Sequence, residues 1–417
     1  MTQNAVTRHR YALFTLFLVQ GIALASWVTR TPAIRDAVHA STAEMGFILL
    51  GMSIGSMTSV LSAGILVSRF GTKPVAVTGT WGIVLSMPLI GCGTAVNFAP
   101  LVAIGLCFYG LGIGSVEVAL NVDGAEVERV TGRPVLAALH GFFSLGTVIG
   151  ASAGILFTWT GFAVGWHLLI VGALVCVGLL TASRFIPPGT GRRDSRVEAG
   201  ESNFESSLAM ARDPRLVIIG VIVLAMALAE GTANDWLPLI MVDEHGFDAS
   251  WGSASYATFA AAMTVGRFAG NRILEVIGRA AVLRTSAIFG AIGLIVVIST
   301  ESHALVVAAI VLWGLGASLG FPVALSAAGD SGQDSAARVS VVATIGYLAF
   351  LAGPPVIGMI GDRLGLRAAL VLPLSLVIVA IFLTPAVRPS AAAGSAAAGS
   401  RESSPPHDSH APVASTD

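Results

Sequence analysis

The fold class this sequence predicts is an all-α membrane protein, with twelve transmembrane helices in two pseudo-symmetric six-helix lobes. Three observations carry that expectation. Of the 417 residues, 54% are hydrophobic and only 11% charged, against roughly 25% charge in an ordinary soluble domain. Apolar runs near the ~20 residues that cross a hydrocarbon layer recur along the whole chain. The second half of the chain also repeats features of the first.

Taken in order, the first span is expected over 11–31. The basic "RHR" before "YALFTLFLVQGIALASWV" imitates a leader. That run is longer than the roughly 7–15 residues of a leader's apolar core, so it reads as a helix that stays in the membrane. Runs near 44–67, 75–96, 99–123, 135–158 and 163–183 complete a first lobe over 1–183. Residues 184–214 are polar and arginine-rich with consecutive prolines, and read as a cytoplasmic linker. The second lobe, 215–388, holds runs near 215–241, 251–270, 281–299, 304–328, 338–360 and 367–387. The remainder, 389–417, has little apolar bulk to bury and reads as a disordered tail.

Arginine placement sets the expected orientation. Arg8 and Arg10, Arg69 and Lys73, Arg129 and Arg133, the linker, and Arg272, Arg279 and Arg284 share one side if the spans alternate. The positive-inside rule makes that side the cytoplasm, with both termini on it. Arg30 and Arg35, and then Arg363 and Arg367 in "GDRLGLR", fall on the other side as exceptions, offset in part by Asp36 and Asp362. The chain is therefore expected to be multi-pass in a cell's inner membrane.

The internal repeat is explicit. "YGLGIGSVEVAL" at 109–120 aligns with "WGLGASLGFPVA" at 313–324, pairing Gly110 with Gly314 and Gly112 with Gly316 at a shift of 204. Arg133 and Gly141 have the spacing of Arg338 and Gly346, and "QG" before Trp27 parallels "EG" before Trp236. A duplicated six-span unit is the sequence form of a two-lobed transporter with its site at the midplane between the lobes.

Other classes are disfavoured by what the chain contains. A formal net charge of −1 leaves no basic excess for nucleic acid. Cys92, Cys107 and Cys176 lie singly in apolar runs with no metal or disulfide spacing, and read as small hydrophobes. No nucleophile motif or sizeable aqueous region suggests an enzyme, and no cofactor is expected. The runs "GLGIGS" and "GLGASLG" imitate nucleotide loops. No strand precedes them and no Walker lysine follows, so they read as small residues for close helix packing.

With these features the chain resembles the major facilitator superfamily, and within it the fucose-permease-like branch. The superfamily's loop signature after the second span is recognisable in "GILVSRFGTK" at 64–73, with Ser68 where the acid usually stands. "GRFAGNR" at 266–272 keeps Asn271 and Arg272 at what is expected to be the matching loop. The branch's glutamate, then asparagine four residues on, is matched by Glu117 and Asn121, and its serine-containing fifth span by "HGFFSLG" at 140–146. The resemblance implies proton-coupled transport of a small polar solute, a sugar or related neutral compound, by a monomer in the lipid bilayer. One departure stands out: the resembled permeases carry an aspartate in the first span, and "IALASWVTRTP" has no acid.

Candidate site residues are those whose polarity falls at hydrocarbon depth. With a span over 99–123, Glu117 lies roughly 9 Å from the centre, inside a half-thickness of about 15 Å. An ionised group so deep costs about 2.5–3.5 kcal/mol by insertion scales, which makes Glu117 a candidate for proton exchange. Its repeat counterpart is Phe321, so the scaffold can be built without an acid there. Asn121 shares its helical face and offers an amide suited to a polyol. His140 and Ser144 extend a polar stripe on the fifth span and are candidate solute ligands. In "LAEGTANDWLP", Glu230 is a second proton-coupling candidate and Asn234, on the same face, a solute ligand, while Asp235 is turned about 100° away. Trp27 and Trp236 are expected to stack on an apolar sugar face, and Gln20 is counted with the solute ligands. Arg30 and Asp235 are expected to form an outer gate, and Arg69 and Lys73 of the loop signature are counted with the gating residues. The alternative reading is proton-driven efflux of a hydrophobic or cationic compound, with the acids as cation ligands.

Overall fold

A computed structural model describes residues 3–132, 135–192, 212–331 and 335–387. Most of the expected linker, the expected tail and Arg133 lie outside the described residues.

The described chain forms twelve long helices. The first six are α1 (Gln3–Val28), α2 (Thr42–Phe70), α3 (Thr72–Ala95), α4 (Ala99–Thr131), α5 (Leu136–Trp159) and α6 (Val164–Ala182). The second six are α7 (Pro214–His245), α8 (Ala249–Ile277), α9 (Arg279–Ser299), α10 (His303–Gly329), α11 (Ser335–Leu364) and α12 (Val371–Leu383), the last preceded by a single turn, Leu366–Ala369. Eleven of the spans are long and apolar enough to cross a membrane. The other helix, α8, reaches 29 residues but carries Arg267 and Arg272 among small and polar side chains. Large apolar side chains such as Ile65, Val177 and Phe382 are exposed on the outside of the bundle, as lipid contact requires.

The two lobes have the same internal packing. In the first, α4 packs on α2 and α3, α5 on α1, and α6 on α1 and α3; in the second, α10 packs on α8 and α9, α11 on α7, and α12 on α7 and α9. Two seams, α2 with α11 and α5 with α8, join the lobes and are equivalent under the repeat. The glycine runs do what close packing needs: a Cβ at Gly112 would lie 2.6 Å from the carbonyl oxygen of Gly79, and one at Gly314 2.6 Å from that of Phe259. Lipid tails give apolar helices no hydrophobic reason to associate, so backbone approach at small residues carries the packing.

The loop after the second helix of each lobe turns on a glycine with positive φ, Gly71 at 86° and Gly278 at 77°, where a Cβ would be strained. This corrects two expectations. The counterpart of the 64–73 loop is the turn at Gly278, not "GRFAGNR", whose Asn271 and Arg272 lie within α8. Moreover the fourth helix runs to Thr131 and not to the expected end at 123, so along the helix Glu117 is two residues, roughly 3 Å at 1.5 Å per residue, from its midpoint at 115. Both arise because helices continue past the apolar run through polar residues that the hydropathy pattern assigns to loops.

Candidate functional site

At the end of the bundle opposite the amino terminus, the lobes are fastened together. Arg35, in the short helix Thr31–Ala37, pairs with Asp243 at the end of α7. The Ser253 hydroxyl donates to the Thr29 carbonyl oxygen at 2.7 Å, and the Ala43 N–H donates to Asp362 at 3.3 Å. Arg367 of "GDRLGLR" bonds Glu301 at 2.5 Å, and that guanidinium holds the Glu301 carboxyl below the usual carboxylate range. Two of the arginines that break the charge rule thus sit in ion pairs with acids. Arg35→Glu is expected to shift the balance toward opening of this end by about fivefold, the upper range of ~1 kcal/mol for an exposed pair. Spin-label distances across this end measure it, and adding Asp243→Arg should restore the wild-type distribution.

The expected gate between Arg30 and Asp235 is not formed, although this end is closed. Arg30 is buried and donates to Thr158 Oγ1 at 3.0 Å and the Phe162 carbonyl oxygen at 2.5 Å, both in its own lobe. Those two acceptors at the α5–α6 turn occupy the guanidinium, so Arg30 braces the first lobe. Arg69 and Lys73 lie at the opposite end, and among the described residues neither makes an ion pair; the Arg69 guanidinium lies 5.2 Å from the centre of the Phe70 ring.

Between the lobes, polar side chains of both meet. Glu117 of α4 is accessible, yet it interacts electrostatically with Arg267 and Glu230 of the other lobe, so it faces the space between them. Among the described residues it makes no hydrogen bond or ion pair of its own. His140 of α5 is also exposed, lies edge-on to Phe17 with ring centres 5.5 Å apart, and feels Arg267. From the second lobe, Arg267 of α8 bonds Glu230 of α7 at 3.0 Å. Tyr256 interacts with Asp235, Glu230 and Arg267, and Tyr347 of α11 with Glu117. Asn121 is half-buried, and its Oδ1 has no hydrogen-bond partner among the described residues.

Other expected ligands lie elsewhere. Trp27 and Trp236 are 1% and 0% exposed, Trp27 edge-on to Tyr109 and Trp236 beside Gly358 at the α2–α11 seam, so in this arrangement neither presents a face to a solute. Gln20 is equally buried, and its amide donates to the Leu16 carbonyl oxygen at 3.0 Å. Ser144 is buried too, while Asn234 and Asp235 are half-exposed. In each buried case an apolar helix face encloses the residue regardless of its own hydrogen-bonding capacity.

Arg267 is a central residue that the sequence pattern does not single out. Its signal is a base ten residues before the end of α8, but the resemblance of "GRFAGNR" to a loop motif hides it. A second such feature is the buried pair of His9 and Asp123, 3.6 Å apart, which joins α1 to α4 near the amino-terminal end.

This two-lobed arrangement is shared with known proteins. The family model described as Major Facilitator Superfamily matches residues 12–340. An MFS-type transporter of Yersinia pestis is 30% identical over 354 residues, covering 85% of this chain and 89% of the relative. A variant of the nucleoside transporter NupG, 14% identical, superposes with a TM-score of 0.74 over 91% of this chain and 99% of that one. A variant of the Escherichia coli fucose:proton symporter FucP, 19% identical, superposes with a TM-score of 0.64 over 91% of this chain and 98% of that one. At such identities the structures share the fold.

Proposed function

Because the chain belongs to the Major Facilitator Superfamily, we propose that it is a secondary transporter that moves a small polar solute, a sugar or related neutral compound, across the inner membrane by proton-coupled alternating access. The observation that carries this reading is Glu117: an acid near the midpoint of α4, accessible between the lobes, with no ion-pair partner among the described residues and charges of the opposite lobe nearby. An unpaired carboxylate is costly at that depth and a protonated one much less so. Proton uptake at Glu117 therefore favours the state in which the lobes move across an occupied site. With the amino-terminal end assigned to the cytoplasm by the arginine count, the end fastened by Arg35 and Asp243 is the outer one. His140, Asn121, Glu230 and Asn234 are the groups proposed to meet the solute.

A second reading has its own support. Asp235 and Glu117 lack ion-pair partners among the described residues, an acid excess that suits efflux of a cationic compound. One experiment separates the two. The protein is reconstituted in liposomes with a pH dye inside, and sugars, polyols, amino acids and organic amines are pulsed outside. Lumen acidification with a sugar or polyol supports symport; alkalinisation with an amine alone replaces it by antiport.

A further inference from the structure

At the amino-terminal end of the first lobe, four basic side chains gather where the start of α3 adjoins the end of α6. The two helices pack together, and a Cβ at Gly91, late in α3, would lie 3.0 Å from the Cα of Gly165, early in α6. The pair is therefore antiparallel. The Thr72 N–H donates to the Thr190 carbonyl oxygen at 2.9 Å, which fixes the stretch after α6 against the residue before Lys73. Arg8 of α1 reaches the same stretch, its guanidinium 5.9 Å from the centre of the Phe185 ring. Arg184 donates one N–H to the Leu180 carbonyl oxygen at 3.2 Å, which leaves further donors of its five. Arg192 stands two residues beyond Thr190. Arg8, Arg184 and Arg192 are exposed and Lys73 is half-buried, and among the described residues none of the four makes an ion pair.

The second lobe has the same architecture at this end and different chemistry. Arg279, at the start of α9, bonds Asp330 at 2.5 Å. Arg284 donates to Thr384 Oγ1 at 3.1 Å and Arg215 to the Ala386 carbonyl oxygen at 2.9 Å, both in the turn after α12. Protein groups thus engage these cations in the second lobe, and the first lobe supplies no acid for its own. Deeper along the same two helices of the first lobe, Trp81 and Leu85 of α3 and Val177 and Leu180 of α6 are exposed, an apolar strip leading away from the four cations.

We propose that this rim is a binding site for an anionic phospholipid, with the headgroup phosphate against Arg8, Lys73, Arg184 and Arg192 and an acyl chain along the apolar strip of α3 and α6. Charge complementarity commits the site to an anionic lipid. Each basic side chain at the membrane surface favours one by about fivefold, and a guanidinium fork matches phosphate oxygens. Phe185, 40% exposed, supplies an aromatic ring at the level where such rings collect in membrane proteins. A zwitterionic lipid carries its own ammonium beside the phosphate, so it gains less from the four cations. A soluble phosphate meets the same charges but makes no use of the strip. The proposal is independent of the cargo and of proton coupling.

The test counts bound lipids. Purified protein in detergent is equilibrated with equal amounts of phosphatidylglycerol and phosphatidylcholine of the same acyl chains, and native mass spectrometry reads which lipid stays bound. The wild type is expected to retain phosphatidylglycerol at least about fivefold over phosphatidylcholine. Lys73→Gln with Arg184→Gln should lower that preference to below about twofold. Arg212→Gln with Arg272→Gln removes the same charge from exposed positions of the second lobe and should keep it. Lys73→Arg with Arg184→Lys should also keep it, which separates loss of the site from loss of fold. An equal fall in both glutamine pairs reduces the effect to overall charge and overturns the site. Glycerophosphoglycerol, the same headgroup without acyl chains, should compete poorly; full competition overturns the lipid as occupant in favour of a soluble phosphate. Absence of a preference in the wild type also overturns the proposal. If the preference then appears on Glu198→Gln with Glu201→Gln and Glu205→Gln, the occupant is the chain's own acidic stretch.

Discussion

Glu117→Gln is expected to lower solute accumulation driven by a proton gradient by roughly 100-fold, while exchange of labelled for unlabelled solute continues. Glutamine keeps the shape and a hydrogen-bonding amide but carries no exchangeable charge. The energy that protonation relieves at this depth, about 2.5–3.5 kcal/mol by insertion scales, corresponds to about two decades. The relevant comparison is uptake into proteoliposomes with and without an imposed gradient, set beside exchange at equal pH. Accumulation that keeps its dependence on the gradient would leave Glu117 as a packing residue.

Gly46→Trp is expected to hold the protein open at the end fastened by Arg35 and Asp243. Gly46 starts the α2–α11 seam: a Cβ there would stand 2.7 Å from the Pro354 carbonyl oxygen and 3.2 Å from Gly358 Cα. An indole has no space unless the lobes part. Overpacking of about 1–3 kcal/mol, at the least, translates into a roughly 5- to 150-fold shift in the balance of open and closed forms. The readout is alkylation of Asn234→Cys, in a background lacking the three native cysteines, by a maleimide that cannot cross the membrane. Labelling from the Arg35 side should rise and transport should fall by at least about tenfold. Unchanged labelling and transport would mean that this seam yields without opening the lobes. Gly46→Ala provides a graded control, since its single methyl meets the same backbone atoms.

The correspondence between chain and structure is uneven in an instructive way. The spans, the repeat and the two lobes are legible because hydropathy over some twenty residues and the spacing of glycines are local properties, recorded directly in the string. Helix ends are less so: α4 and α8 continue through polar residues, which brings Glu117 toward the middle of its helix and hides Arg267 in a loop-like motif. Gates and ligands depend on which helix faces which. The symmetry of the first and seventh spans matches Arg30 with Asp235, yet Thr158 and Phe162, turned toward it by the α5–α6 bend, claim its donors.

The chain by itself determines an all-helical, duplicated membrane protein with an acid in the fourth span that needs a reason to be there. Folding settles the rest. It brings Glu117 under the influence of Arg267 and Glu230, buries Trp27 and Trp236, and fastens one end through Arg35 and Asp243. The physical cause of the division is range: burial of an apolar stretch is a sum over neighbours along the chain, whereas a charge at depth takes its role from partners more than a hundred residues away, which only the packing of the two lobes brings together.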